Sequence, residues 1–335
     1  MSNQSIEEVA NHLFSAFKNP IPETSIDLES LKSTMAERVF ESEPFQFNLA
    51  DLKFALSECA SKSAPGPDGL SYNIFKQFQE KTLRCLLKIY NRWLSNMSID
   101  TVANQRVIIA IPKQDGSSRG ITLANAVIKI FERMLLPNLD SLDKKLQDFQ
   151  FGFRKGRGAH HQLINVFSEL QRNSDQIIVL FDVKKAFDRV DRKILLSELS
   201  SENIHPLVWF AICSLFKPCP ACVISRNEVS IPQTIESGVP QGGITSPLLF
   251  SYYTRNLGKN YKKDTDWFMY ADDVAVIKSN HPSQYDILHL VNQYFYSRRL
   301  ELHLGKTKCT RITTSRNKIK WDHPGLPELV ESANI

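Results

Sequence analysis

Two adjacent carboxylates, Asp272 and Asp273, stand between the apolar runs Trp267-Phe268-Met269 and Val274-Ala275-Val276-Ile277. Both runs have strand composition, so Tyr270-Ala271-Asp272-Asp273 reads as a β-hairpin whose turn holds Ala271, Asp272 and Asp273. Aspartate is common in turns because its side chain bonds nearby backbone, and an ordinary acidic turn is one reading of the pair. The other is a cation site, since clustered carboxylates are hard oxygen ligands suited to Mg²⁺, which binds a few acids and otherwise keeps water and substrate phosphates. Asp182 bears on the choice. It ends the β-branched run Ile177-Ile178-Val179-Leu180-Phe181, a buried strand by composition, and packing explains a terminal charge there poorly. Brought beside the hairpin, Asp182 completes a cluster able to hold two metal ions roughly 3.5–4 Å apart, the arrangement used for in-line phosphoryl transfer.

Other residues have types that suit the same chemistry. Lys113 and Arg119 flank the turn-forming Asp115-Gly116-Ser117-Ser118, where two cations can grip phosphates from one hairpin or simply face solvent. Phe187 follows Asp182 at five residues and is either core or a wall beside a bound ligand. Gly238-Val239-Pro240-Gln241-Gly242-Gly243 is a loop whose glycines let backbone approach a base pair, and Gln241 is its hydrogen-bonding side chain. Ser246-Pro247 then has the look of a helix start, Ser at the N-cap and Pro at the first helical position.

In this order the blocks resemble reverse transcriptases of the non-LTR (LINE-like) retrotransposon type, over roughly residues 50 to 312. Ser63-Ala64-Pro65-Gly66-Pro67-Asp68-Gly69-Leu70 is similar to the segment ahead of that family's fingers. Ile111-Pro112-Lys113 through Arg119-Gly120-Ile121-Thr122-Leu123 is similar to its fingers motifs, and Phe149-Gln150-Phe151-Gly152-Phe153-Arg154 to the next block. The Gly238–Gly243 loop with Ser246–Phe250 resembles the template-positioning motif, and Leu302-His303-Leu304-Gly305-Lys306-Thr307-Lys308 the motif after the acidic hairpin. Gly120, where many relatives carry proline, and Gly243-Ile244-Thr245 are small departures.

The resemblance implies an RNA-directed DNA polymerase in which Asp182, Asp272 and Asp273, with the Val183 carbonyl, hold two Mg²⁺ ions, Mn²⁺ being an alternative. It implies that Lys113, Arg119, Phe187, Gln241 and Tyr270 bind the dNTP, Phe187 excluding a ribose 2′-hydroxyl by clash. It places Arg154, Lys155, Arg157, Gly242 and Lys306 on an RNA template and DNA primer. Asp188 and Asp191 are read as turn and helix-cap residues. The expected reaction is attack of a primer 3′-hydroxyl on the dNTP α-phosphate, pyrophosphate leaving along Lys113 and Arg119.

The order of elements suggests an α+β fold, and the resemblance implies right-hand polymerase fingers and palm, the palm a ferredoxin-like antiparallel sheet packed on helices. A helix capped by Ser283 is expected to run through Arg299 and bury Ile287, Leu290, Val291 and Tyr294. Another is expected from Thr122, with Leu123, Val127, Ile130 or Phe131, and Met134 inward. Residues 1–50 are read as a helical linker and 51–335 as the polymerase domain: fingers about 51–174, palm about 175–312, basic tail 313–335. An endonuclease ahead of it and a thumb after it are expected to be missing, which leaves a non-catalytic, weakly nucleic-acid-binding remnant as the alternative function. A telomerase-like cellular polymerase fits the Ala64–Gly69 block less well.

Composition agrees with one such domain. The 335 residues are 42% hydrophobic, enough for a sizeable core, and a net charge of +5 with a pI near 8.8 makes local cation clusters the basis for nucleic-acid contact. Arg154-Lys155-Gly156-Arg157, Lys184-Lys185, Arg298-Arg299 and Lys306 to Lys320 are such clusters. Cys219-Pro220-Ala221-Cys222 lacks the second pair that a structural zinc site needs, so reduced thiols are expected among the six cysteines. With no apolar run of membrane-spanning length and no signal-peptide pattern, the sequence predicts an intracellular protein of the nucleus or cytoplasm, oligomeric state open.

Overall fold

The computed structural model describes residues 5–113, 117–172, 175–226, 228–259, 265–279, 284–315 and 318–322. Twelve strands are found among the described residues. They are β1 (Arg106–Pro112), β2 (Ser118–Ala124), β3 (Asp175–Phe181), β4 (Val183–Lys184), β5 (Cys219–Ser225), β6 (Glu228–Val229), β7 (Gln233–Ile235), β8 (Thr265–Tyr270), β9 (Asp273–Ser279), β10 (Glu301–Leu302), β11 (Lys308–Ser315) and β12 (Lys318–Asp322). The chain divides into two compact units, Met1–Lys144 with Phe187–Leu249 and Lys145–Ala186 with Phe250–Ile335. Together they make an α+β protein.

The first unit is built on a sheet ordered β2-β1-β5-β6, with β7 also on β5. β1 and β2 form an antiparallel hairpin, and β1 runs parallel to β5. Alternation along β1 buries Arg106, Ile108 and Ala110 and leaves Ile109 and Ile111 on the other face. Against the buried face lies the helix Ile6–Phe14, whose Ala10, Leu13 and Phe14 share a core with Ile108, Ala110, Ala221, Val223 and Ile235. Ser5 starts that helix with a capping box to Glu8.

Thr122 lies in β2, contrary to the helix expected from it: it pairs with Ile108, and the helix begins four residues on, at Ala126. The backbone N–H of Thr122 donates to the Gln241 carbonyl at 2.7 Å, which commits this stretch to a strand. The buried face of the helix does include Ile130, Phe131 and Met134. Cys219 and Cys222 stand three apart on one strand, therefore on opposite faces, which does not suit chelation, and all six cysteines are free.

The second unit is an antiparallel sheet ordered β12-β11-β3-β9-β8. Taken in chain order, β3, β8, β9 and β11 lie in the sequence 4-1-3-2, the ferredoxin-like arrangement expected. One face, carrying Ile178, Phe268, Ala275 and Ile277, packs with Phe151 and with Val166 and Leu170 of the helix Ala159–Arg172. The helix Gln284–Ser297 packs against β3 and buries Ile287, Leu288, Val291 and Phe295. Its inward stripe therefore uses Leu288 and Phe295 where Leu290 and Tyr294 were expected, and both of those are only half-buried. The expected cap, Ser283, lies outside the described residues, as does the tail from 323 on, while 308–315 and 318–322 pair as β11 and β12.

Candidate active site

In the second unit the carboxylates meet through strand register. Phe181 pairs with Val274 and Tyr270 with Asp273, so Asp182, the residue just past the end of β3, comes opposite Asp273, the first residue of β9. Side chains facing each other across an antiparallel pair have Cβ atoms about 4.5–5.5 Å apart, and like charges there repel. The Asp273 carboxyl is accordingly pushed above its ordinary range, by desolvation first and then by the charge of Asp182, with Lys306 opposing. Lys306 pairs directly with the other acid, its Nζ lying 2.9 Å from Asp182 Oδ2. Lys306, expected on template or primer, is here the counter-ion of Asp182. Asp182 is further fixed through its backbone carbonyl, which accepts from His303 N at 2.7 Å, and Val183 pairs with Leu302.

The turn is tighter than expected, with Asp273 already in β9 and only Ala271 and Asp272 between the strands. Ala271 has φ 58° and Asp272 does not share the positive sign, the pattern of a type II′ hairpin in which glycine is usual at the first position. A non-glycine residue there carries a cost of about 1–2 kcal/mol. The segment Phe149-Gln150-Phe151-Gly152 opposes it. Met269 N donates to Phe149 O and Phe151 N to Met269 O, both at 2.8 Å. The Oε1 of Gln150 accepts from Gly152 N at 2.9 Å and from Ala271 N at 3.3 Å, and Gln150 is buried. A Cβ on Gly152 would lie 2.4 Å from Ala271 N, so glycine is required for the segment to approach the turn.

Arg154 and Arg157, expected on nucleic acid, have structural partners in this segment. Arg154 donates to Gln147 O at 3.0 Å, and Arg157 pairs with Asp148 at 2.9 Å while lying over the Phe151 ring. Lys155 between them is exposed. Tyr270 shares the face of Asp273 and packs at the margin of the apolar cluster, half-buried.

In the first unit, Arg119 pairs with Ile111 and Lys113 N donates to Ser117 O at 2.8 Å, which continues the register past Pro112. Lys113 and Arg119 are thus exposed on one face of the hairpin, away from the helix Ile6–Phe14. Residues 114–116, including the expected turn residues Asp115 and Gly116, lie outside the described residues.

The 237–243 loop lies against β2 and against the turn holding Phe187. Gly242, at φ 120°, brings its backbone so near that a Cβ would be 2.5 Å from Thr122 O. Val239 N donates to Phe187 O at 2.8 Å and Gly238 N to Val190 O at 3.0 Å. Buried Arg192 secures the loop's start, donating at 2.8 Å to the carbonyls of Phe216, Ser237 and Gly238. Burial, then the charge of Arg106, pushes its pKa down to about 9, which leaves it cationic at neutral pH. Asp191 caps the helix Arg192–Ser200, as expected. Asp188 does more than occupy a turn: its Oδ1 and Oδ2 each accept from Gln241 Nε2 at 2.8 Å.

Among the described residues no three His, Cys, Asp or Glu side chains enclose a metal position as they stand. The donor chemistry nevertheless suits a hard cation: Asp182 and Asp273 are close enough for the charge of one to act on the other, and an ammonium group is already paired with Asp182. No described helix is long and apolar enough to cross a membrane.

Comparison with known proteins bears on the family of the chain. The family described as Reverse transcriptase (RNA-dependent DNA polymerase) matches residues 111–322. "RNA-directed DNA polymerase from mobile element jockey" of Drosophila funebris is 27% identical over 299 residues, 82% of this chain and 32% of that protein. "Probable RNA-directed DNA polymerase from transposon BS" of Drosophila melanogaster is 26% identical over 292 residues, 81% of this chain and 32% of that protein. "Protein YkfC" of Escherichia coli is 25% identical over 200 residues, 57% of this chain and 48% of that protein. The chain spans about a third of the length of the two Drosophila relatives.

Proposed function

Because the chain belongs to the reverse transcriptase (RNA-dependent DNA polymerase) family, with relatives in non-LTR retrotransposons, we propose that it carries the nucleotidyl-transfer site of such an element and extends a DNA primer on an RNA template. The observation that carries the proposal is the register that sets Asp182 opposite Asp273. A strand pair does not favour facing carboxylates unless a cation joins them.

Asp182, Asp272 and Asp273, with the Val183 carbonyl, would hold two Mg²⁺ ions, or Mn²⁺ in their place. When bound, these supply charge stabilisation for in-line displacement at phosphorus. The protein's own groups do the rest. Lys113 and Arg119 hold the triphosphate of a dNTP and receive the pyrophosphate, Arg119 through the fork geometry that suits phosphate oxygens. Phe187 stands against the sugar and leaves no room for a 2′-hydroxyl, while Gln241 and Tyr270 complete the nucleotide contacts. Gly242 and the cations Arg154, Lys155, Arg157 and Lys306 border the template and primer. The proton of the primer 3′-hydroxyl leaves as its oxygen bonds to the α-phosphorus and the bond to pyrophosphate breaks.

Primer extension on poly(rA)/oligo(dT) with dTTP tests this directly. Asp272→Asn should abolish Mg²⁺-dependent synthesis, and Mg²⁺ should raise the melting midpoint of the parent chain but not of Asp272→Asn. Undiminished synthesis by the variant would overturn the assignment. A parent chain inactive alone but active when extended by downstream coding sequence would show this stretch to be a fragment of an active polymerase, and inactivity of both would favour the remnant reading.

A further inference from the structure

Gln241 has an amide whose two ends are chemically different, and the structure fixes which end goes where. An ionised carboxylate only accepts, so the group facing both oxygens of Asp188 at 2.8 Å is the donor Nε2. Gln241 therefore presents its carbonyl Oε1 to any ligand, and Oε1 has no side-chain partner among the described residues. The same aspartate grips the loop by its backbone. Its carbonyl accepts from Ser237 Oγ at 3.0 Å, and a Cβ on Gly238 would come within 2.4 Å of it. Phe187, the residue before, accepts from Val239 N at 2.8 Å. Asp188 is buried, so its bonds to the loop are little exchanged with water.

We propose that Asp188 is a positioning residue of the nucleotide site, locking the Gln241 amide so that it offers an acceptor, and tying the Gln241 loop to the chain beside Phe187. The inference rests on the polymerase reading of Phe187 and Gln241. It makes the bound nucleotide the donor in its contact with Gln241. Substituting asparagine at 188 keeps a hydrogen-bonding partner but supplies both a donor and an acceptor, so the Gln241 amide can turn over.

The test compares the full chain with Asp188→Asn, Gln241→Ala and the double variant. It measures single-nucleotide extension on poly(rA)/oligo(dT) with dTTP, equilibrium dTTP binding to the same complexes, and thermal midpoints. Asp188→Asn should raise KM and Kd for dTTP by roughly fivefold or more, with a smaller change in kcat and a midpoint near that of the parent. In the Gln241→Ala background it should add almost nothing, since the group it orients is gone. An undiminished effect in that background, or unchanged dTTP affinity in Asp188→Asn, would overturn the inference while leaving the polymerase reading intact. If the parent neither binds dTTP nor extends the primer, or if Asp272→Asn still extends, the polymerase reading itself falls and takes this inference with it.

Discussion

Gln150→Leu probes how the acidic turn is held. Leucine has nearly the same size and no acceptor, so the N–H groups of Gly152 and Ala271 lose the oxygen they share at 2.9 and 3.3 Å. A buried donor left without a partner costs about 1–3 kcal/mol, the longer bond contributing at the low end. The two together come to about 2–4 kcal/mol. Against this, Gln150 Nε2 is itself buried and has no partner among the described residues, so its removal returns about 1 kcal/mol. The net loss should be about 1–3 kcal/mol, read as a lower urea midpoint at unchanged m. Catalysis should suffer as well, because Ala271 at φ 58° is no longer held against its steric preference. A shift of about 1.4 kcal/mol in the population of the correct turn corresponds to roughly tenfold in extension rate. Ala271→Gly accepts the same φ without a clash, so adding it to Gln150→Leu should recover part of the rate. A Gln150→Leu variant that unfolds within about 0.5 kcal/mol of the parent and extends primer at the parental rate would show that Gln150 does not hold the turn.

Three further outcomes follow from particular contacts. Phe187→Val should raise ribonucleotide incorporation relative to dNTP by roughly ten- to hundredfold, and unchanged discrimination would remove Phe187 from the sugar contact. Lys306→Met should change stability by no more than about 1 kcal/mol, since its side chain is 57% exposed and the pair is screened. It should lower the Mg²⁺ concentration needed for half-maximal extension, because a divalent cation no longer competes with the ammonium group; a higher requirement would contradict this. Glu169 has its carboxyl pushed above the ordinary value of 4.5 by burial first and by Asp266 next, with Arg172 opposing. The folded state thus binds its proton more tightly than the unfolded chain, and this contribution to stability is lost as pH rises through the interval above 4.5. Glu169→Gln should melt higher than the parent at pH 7 and no higher at pH 4, as a pair of thermal scans would show.

What could be read from the sequence was mostly local. Ile177 to Phe181 and Val274 to Ile277 declare themselves as strands by composition, and the acids at their ends follow, so the carboxylate positions were legible. Thr122 misled because a strand and the next helix abut there, and its commitment to β2 rests on a backbone bond to Gln241, far along the chain. The stripe on Gln284–Ser297 was misjudged because Leu288 and Leu290 are equally apolar, and only packing chooses between them. Gln150, Asp188 and Arg192 escaped for a shared reason. Each is an ordinary polar residue until a distant partner arrives: Ala271, Gln241 and Gly238 respectively. Arg154 and Arg157 show a related limit: the cationic cluster is legible in the sequence, but the carbonyl and the carboxylate that orient it are not.

The central place of β3 has a consequence during synthesis. Both of its neighbours, β9 and β11, come later in the chain, β9 by some ninety residues. At roughly 5–20 residues per second, ribosomes would leave β3 without a partner for about 5 to 18 seconds. Through that interval Ile177-Ile178-Val179-Leu180-Phe181 is a nascent apolar strand with two open edges, the kind of segment that pairs with other chains. Asp175 and Asp182 bracket it, and flanking charges of this sort discourage such association. Asp182 would then protect the newborn chain from aggregation well before it meets Asp273.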